Sequence, residues 1–214
     1  MCTMSFVRRH ISLLPEGQLF TTRALLLYGS RSAVDSALFR LVRAERIRRL
    51  ARGVFIRIDS RTREPSVNEV ATIKAVSFGR QIFCHGETAG AKLGLIDRCN
   101  RQIAYAIDGR SSSFRFGNIT IHFRSAVQRK LKVGDGQVGR AIRALWYVGA
   151  AFCDTPMAKE ATRYFTRKEI DETLHHYGLL PAWMQKALNW PQLWRVKHLL
   201  APRRPNMVAA VLTE

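Results

Sequence analysis

The hydrophobic positions of the first sixty residues change spacing in a readable order. Phe6, Val7, His10, Ile11 and Leu14 share one helical stripe and predict a helix from Thr3 to Leu14, which Pro15-Glu16-Gly17 ends. Thr21 or Thr22 can cap a short second helix over Arg23 to Tyr28, closed by Gly29 in the left-handed conformation that glycine tolerates. Ser30 is placed to cap a third helix from Arg31 to Ala44. Its residues Val34, Ala37, Leu38, Leu41 and Val42 recur at core spacing, while Ser32, Ser36, Phe39, Arg40 and Arg43 project the other way. Ile47 to Leu50 and Val54 to Ile58 then read as two short strands around Ala51-Arg52-Gly53.

Beyond this the pattern predicts a small α/β unit. Glu64-Pro65-Ser66 is a hinge, with Ser66 able to cap an amphipathic helix carrying Val67, Val70, Ala71, Ile73, Lys74 and Val76 and ending near Gly79. Gln81 to His85 and Gln102 to Ile107 read as strands, and Thr88 to Leu93 as a short helix ended by Gly94. Ser113 to Phe116 and Ile119 to Phe123 pair around Gly117-Asn118. A helical portion begins at Asp135 to Tyr147, with Val138, Ala141, Ile142, Leu145 and Val148 on one stripe. Further helices are expected at Thr166 to Tyr177, Ala182 to Leu188 and Gln192 to Leu200, before a frayed end that begins near Ala201-Pro202-Arg203-Arg204-Pro205. Trp183, Trp190 and Trp194 sit at spacings that suit core packing better than base stacking. The predicted fold class is therefore α+β, with units at residues 1–63, 66–150 and 151–214.

Charge changes what the first unit is good for. The chain of 214 residues carries 35 Lys and Arg against 16 Asp and Glu, a net charge of +19. Such an excess suits a polyanionic partner, because each phosphate neutralised releases condensed counterions. Arginine supplies 27 of the 35, and a GC-rich genome raises arginine without functional demand, so charge alone does not settle the matter. Its distribution adds weight: residues 1–63 hold thirteen arginines, no lysine and four acids. Two short helices joined by a glycine-containing turn, then a basic hairpin, is the order of a winged helix-turn-helix. On that reading Arg31, Ser32, Ser36, Arg40 and Arg43 of the third helix face a major groove. Arg48, Arg49 and Arg52 on or beside the hairpin tip reach phosphates or the adjacent minor groove. The next unit has an excess of only +4 over residues 66–125 and suits protein contact, dimerisation or further phosphate contact equally. Residues 126–214 hold fourteen basic and seven acidic side chains, which leaves a second nucleic-acid contact open.

Several segments taken in order resemble the AbiEi-type antitoxins of bacterial type IV toxin–antitoxin systems. They are Leu14-Pro15-Glu16-Gly17, Phe20-Thr21-Thr22, Gly29-Ser30-Arg31-Ser32-Ala33-Val34, Leu38-Phe39-Arg40-Leu41-Val42 and Ile47-Arg48-Arg49-Leu50-Ala51-Arg52-Gly53-Val54-Phe55. The similarity continues in Glu87-Thr88-Ala89-Gly90-Ala91-Lys92-Leu93-Gly94-Leu95 and Ala104-Tyr105-Ala106-Ile107-Asp108-Gly109-Arg110, and fades through Gly139 to Leu145. After Leu95, Ile96-Asp97-Arg98-Cys99-Asn100-Arg101 departs from the family's sequence. The resemblance implies an N-terminal winged helix that binds inverted repeats in its own promoter and represses the operon, an arrangement that would suit a homodimer on DNA. It implies a following domain that counteracts a nucleotidyltransferase-like toxin without requiring a stable complex with it. A winged-helix repressor unrelated to any toxin is the alternative, and a nucleic-acid-processing enzyme a more distant one.

Catalysis finds little support in the motifs. Gly29-Ser30 could open a nucleotidyltransferase signature, yet only Asp35 follows, so the paired carboxylates that hold magnesium are missing. No Glu-x-Lys, Walker A or Gly-x-Ser-x-Gly stretch occurs. Cys84, His85 and Glu87 are explained by a strand end followed by a helix start. Cys2, Cys84, Cys99 and Cys153 form no C-x-x-C pair, and the adjacent His175 and His176 diverge on a helix, so no metal, cofactor or catalytic residue is expected. The first ten residues contain no apolar signal region, and Ala144 to Cys153, ten residues, is too short to span a bilayer. The expected location is the cytoplasm.

Overall fold

Helix α1 (Thr3–Leu13) lays Val7 and Ile11 into a core shared with α2 (Arg31–Arg43), in the computed structural model, which describes residues 2–58, 63–97 and 103–188. The expected stripe of α2 is the buried one: Val34, Ala37, Leu38 and Leu41 face the core. Ser30 caps α2 by accepting from the Ala33 amide at 3.3 Å. Strands β1 (Leu19–Thr21), β2 (Ile47–Ala51) and β3 (Val54–Arg57) form an antiparallel sheet in the order β1-β3-β2. Phe20 and Phe55 are cross-strand partners whose rings stack 5.8 Å apart.

Three details of this region differ from the sequence reading. Leu19–Thr21 is a strand rather than the lead-in to a cap, because its pairing partner lies more than thirty residues away and leaves no local signature. The segment Thr22–Tyr28 is a 3-10 helix, a form suited to one tight turn or two, and the Thr21 side chain makes no cap bond. Gly29 is near-extended at φ 158° and ψ −175°, not left-handed. Glycine is demanded there by the backbone, since L side chains rarely adopt that φ, and an added Cβ would also stand 2.5 Å from the Thr3 hydroxyl oxygen.

Helix α3 (Val67–Val76) starts from a capping box in which Ser66 and Glu69 bond each other's backbone amides. Beyond it, β4 (Ile82–Cys84), β5 (Ile103–Ile107), β6 (Ser112–Phe116) and β7 (Ile119–Ser125) form a second sheet in the order β4-β5-β7-β6. β5 and β7 are parallel, and β6 and β7 form the expected hairpin, with Gly117 at φ 54° in its turn. Val70, Ala71 and Ala75 of α3 pack on Ile107, Phe114 and Ile121 of this sheet and also on Ala51 and Val54 of the first. One apolar cluster thus crosses residues 64–66. Within that segment Glu64 is paired with Arg48 and Pro65 is buried.

Helix α4 (Gly86–Lys92) lies against α6 (Gln137–Val148), with the short α5 (Gln128–Leu131) before it. The buried stripe Val138, Ala141, Ile142 and Leu145 of α6 packs with α7 (Thr155–Ala161), α8 (Arg167–His175) and α9 (Ala182–Leu188) through Ala158, Ile170, Leu174, Met184 and Leu188, with Phe165 between α7 and α8 in the same cluster. Trp183 packs on this cluster, as core spacing implied. Trp190, Trp194, the Gln192–Leu200 helix, the frayed end and Cys99 lie outside the described residues. The chain is a mixed α+β fold with two small sheets. Among the described residues no helix is long and apolar enough to cross a membrane.

Candidate nucleic-acid interface

The stripe that α2 buries forces its remaining residues outward. Arg31, Ser32, Ser36, Phe39, Arg40 and Arg43 are all exposed and, with Asp35, line one shallow open hollow along the helix. The structure therefore brings together all five α2 residues expected to contact DNA. Two pairings within the row were not foreseen. Arg31 Nε donates to Asp35 Oδ2 at 2.8 Å, so part of its charge is answered locally. Arg43 rests its guanidinium carbon 5.7 Å from the Phe39 ring centroid, which gives the exposed Phe39 a role as a platform for that cation.

The hairpin presents a second group. Ile47 and Ala51 point into the core while Arg48 and Arg49 are exposed, and Arg52 stands in the turn beside Gly53, whose φ of 76° the turn requires. The three arginines differ in their freedom. Arg48 Nη2 reaches Glu64 Oε2 at 2.5 Å and sits four positions before the turn residue, so it is an ion-paired strand residue rather than a tip residue. Among the described residues Arg49 and Arg52 form no ion pair.

The base of the hairpin is fixed by Arg57. Its guanidinium donates to the carbonyls of Ser12 and Leu14, while its backbone amide donates to Gln18. At the other end, Lys74 Nζ donates to the Arg52 carbonyl at 2.7 Å. Arg23 in the 3-10 segment lies 5.3 Å from the Phe78 ring centroid, beyond the end of α3. Lys74 and Glu64, read from the sequence as helix and hinge residues, were not among the expected interface residues. The available signal was a lysine inside an otherwise apolar stripe, since such a position leaves the ammonium seeking a partner at the edge of a core.

The second region weighed for chemistry lies where β4 meets α4. His85 caps α4, its Nδ1 accepting from the Glu87 amide at 3.3 Å, and burial pushes its pKa down, which favours the neutral ring. Burial, then the charge of Asp135, pushes the Cys84 thiol up, the reverse of what activates a nucleophile. Among the described residues no three His, Cys, Asp or Glu side chains gather as metal ligands.

Over residues 7–174 the chain matches the model of a family of unknown function, DUF6088. That span is most of the chain, and the protein belongs to this family. No curated protein and no solved structure matches it.

Proposed function

We propose that this member of the DUF6088 family is a cytoplasmic DNA-binding protein whose N-terminal unit, residues 1–63, is a winged helix-turn-helix. Helix α2 serves as the recognition helix and the β2–β3 hairpin as the wing. The observation that carries the reading is the division of α2: one face is wholly committed to the core, and the other offers Arg31, Ser32, Ser36, Arg40 and Arg43 to solvent in a single row. Arginine in such a row can pair with guanine edges or grip phosphate, and serine can accept or donate at either. Arg49 and Arg52, exposed on the adjoining hairpin, supply contacts to the backbone that carry no sequence information.

The resemblance to AbiEi-type antitoxins extends this reading to autorepression and antitoxicity. On it, residues 66–150 form the antitoxin-like unit, residues 151–214 a helical extension, and the functional partner is a nucleotidyltransferase-like toxin. No catalytic, metal or cofactor role is assigned to any residue. The test is genetic. The gene beside this one is expressed alone and together with the chain, while a reporter is driven by the shared upstream region. Growth arrest by the neighbour, relief by this chain and repression of the reporter support the antitoxin. Repression without a toxic neighbour leaves a repressor alone.

A further inference from the structure

The turn of the hairpin is not a free arm. Ala51 and Val54, which bracket Arg52 and Gly53, are buried in the same cluster as Ala71 and Phe114. Lys74 of α3 spans the two sheets at this point. Its Nζ donates to the Arg52 carbonyl at 2.7 Å, and the same atom stands 5.0 Å from the centroid of the Phe114 ring on β6. One half-buried side chain therefore joins the tip of the first sheet's hairpin to the helix and to the second sheet. The ammonium is pushed below its ordinary value by burial first and then by the positive charges of Arg52 and Arg49, so three cations crowd one place. Such crowding opposes itself, and an incoming phosphate would relieve it.

We propose that Lys74 is a positioning residue for the hairpin tip. By holding the Arg52 main chain against α3, it sets the reach at which the Arg49 and Arg52 side chains meet a DNA backbone. The second sheet unit thereby becomes part of the DNA-binding device rather than an independent passenger. The inference rests on the DNA-binding reading above. Positioning is favoured over direct phosphate contact because Nζ is already committed to a carbonyl and a ring at the edge of a core.

The test measures binding of the full chain to duplex DNA from its own upstream region, over a salt series. Lys74→Met keeps the length of the stem and removes the donor, while Lys74→Arg keeps both charge and donors. Each is compared in the wild-type background and in an Arg49→Ala/Arg52→Ala background, where the carbonyl of residue 52 remains but the side chains it aims are gone. Lys74→Met is expected to weaken binding about tenfold in the wild-type background, a coupling of ordinary size between residues in contact. Lys74→Arg restores most of the affinity, and the loss disappears in the double-alanine background. A tenfold loss that persists there would show Lys74 gripping phosphate itself and overturn the positioning role. Unchanged binding of Lys74→Met in the wild-type background would overturn it as well. Should Lys74→Met not fold, Lys74→Gln, too short to reach the carbonyl, carries the same comparison. A wild-type chain that binds no duplex would overturn the DNA-binding reading, and this inference with it, before any variant is compared.

Discussion

The buried guanidinium of Arg143 donates through Nη2 to the Asp135 carboxylate 2.5 Å away, and this pair locks α6 to the end of β4. Nε of the same side chain reaches the Cys84 carbonyl at 2.9 Å, Nη1 reaches the Gly134 carbonyl at 2.5 Å, and Asp135 Oδ1 also accepts from the Cys84 amide at 2.7 Å. Arg143→Met keeps the volume but takes the donor from the Cys84 and Gly134 carbonyls, while the partly exposed Asp135 keeps Arg140 Nη2 at 3.2 Å and the Cys84 amide. It is expected to cost about 1–3 kcal/mol, the range for leaving buried acceptors without a donor. Urea unfolding measures it, and a loss under about 1 kcal/mol would show that water reaches these groups and answers them.

Helix α3 carries an acid-sensitive start. Arg63, then the Ser66 amide and hydroxyl, hold the Glu69 carboxyl down to about 2 from an ordinary 4.5. A folded value below the unfolded one stabilises the fold above the unfolded value and loses that contribution as pH falls from about 4.5 towards 2. Glu69→Gln is therefore expected to be less stable than wild type near neutral pH, with the gap narrowed at about pH 3 and closed only below the folded value of about 2. Thermal midpoints for the two proteins at both pH values decide it, and a pH-independent difference would refute the linkage.

Gly86 lies where α4 meets α6. A Cβ there would collide with the Arg143 carbonyl and press to 2.8 Å from the Tyr147 Cβ, and a main-chain wall cannot rotate away. Gly86→Ala is expected to cost about 1–3 kcal/mol by overpacking, although alanine favours a helix. Gly136→Ala, where nothing lies within 4 Å of the added carbon, is the control and should cost less. Equal unfolding midpoints for the two variants would refute the close approach.

The α2 row makes opposite-signed predictions for neighbouring residues. Arg40→Ala is expected to weaken operator binding by about 1–3 kcal/mol if the side chain reads a base. Asp35→Asn removes an acid from the row and frees Arg31 from its 2.8 Å pair, so it should strengthen binding. Fluorescence anisotropy on one duplex measures both, and weakened binding in Asp35→Asn would place the row away from the phosphates.

The hairpin arginines should separate in the same assay. Arg52→Ala is expected to weaken all sequences alike and reduce the salt slope by about one. Arg48→Ala should do less, because Arg48 is already engaged at 2.5 Å by Glu64. Equal losses would mean that this surface pair opens on binding.

What the sequence made legible follows from the range of each interaction. The α2 stripe, the Ser30 and Ser66 caps, the β2–β3 hairpin around Arg52-Gly53 and α9 over Ala182–Leu188 all rest on residues a few positions apart. The outward row of α2 was legible for the same reason, since a helix that buries Val34 and Leu38 must expose Arg40 and Arg43. Strand β1 escaped notice because three residues paired to a distant partner make no local pattern. Helices α5 and α7 were also missed: α5 has four residues, too few to show a period, and α7 buries only the two alanines Ala158 and Ala161, which make no apolar stripe. Arg143 falls off the apolar stripe of α6, and its contacts with Gly134, Asp135 and Cys84, the last 59 residues earlier in the chain, explain its burial. The differing freedom of Arg48 and Arg52 likewise depends on Glu64 and Lys74, which the chain returns to the hairpin after leaving it.

The most direct measurement is the affinity of the purified chain for the DNA upstream of its own gene, against scrambled DNA of equal length, across a salt series. The expected result is tight binding that favours the upstream fragment, weakens steeply with salt, and loses its selectivity in Arg40→Ala/Arg43→Ala. Equal affinity for both duplexes, with that variant unchanged, would contradict it and leave the arginines of α2 as a solvated basic face.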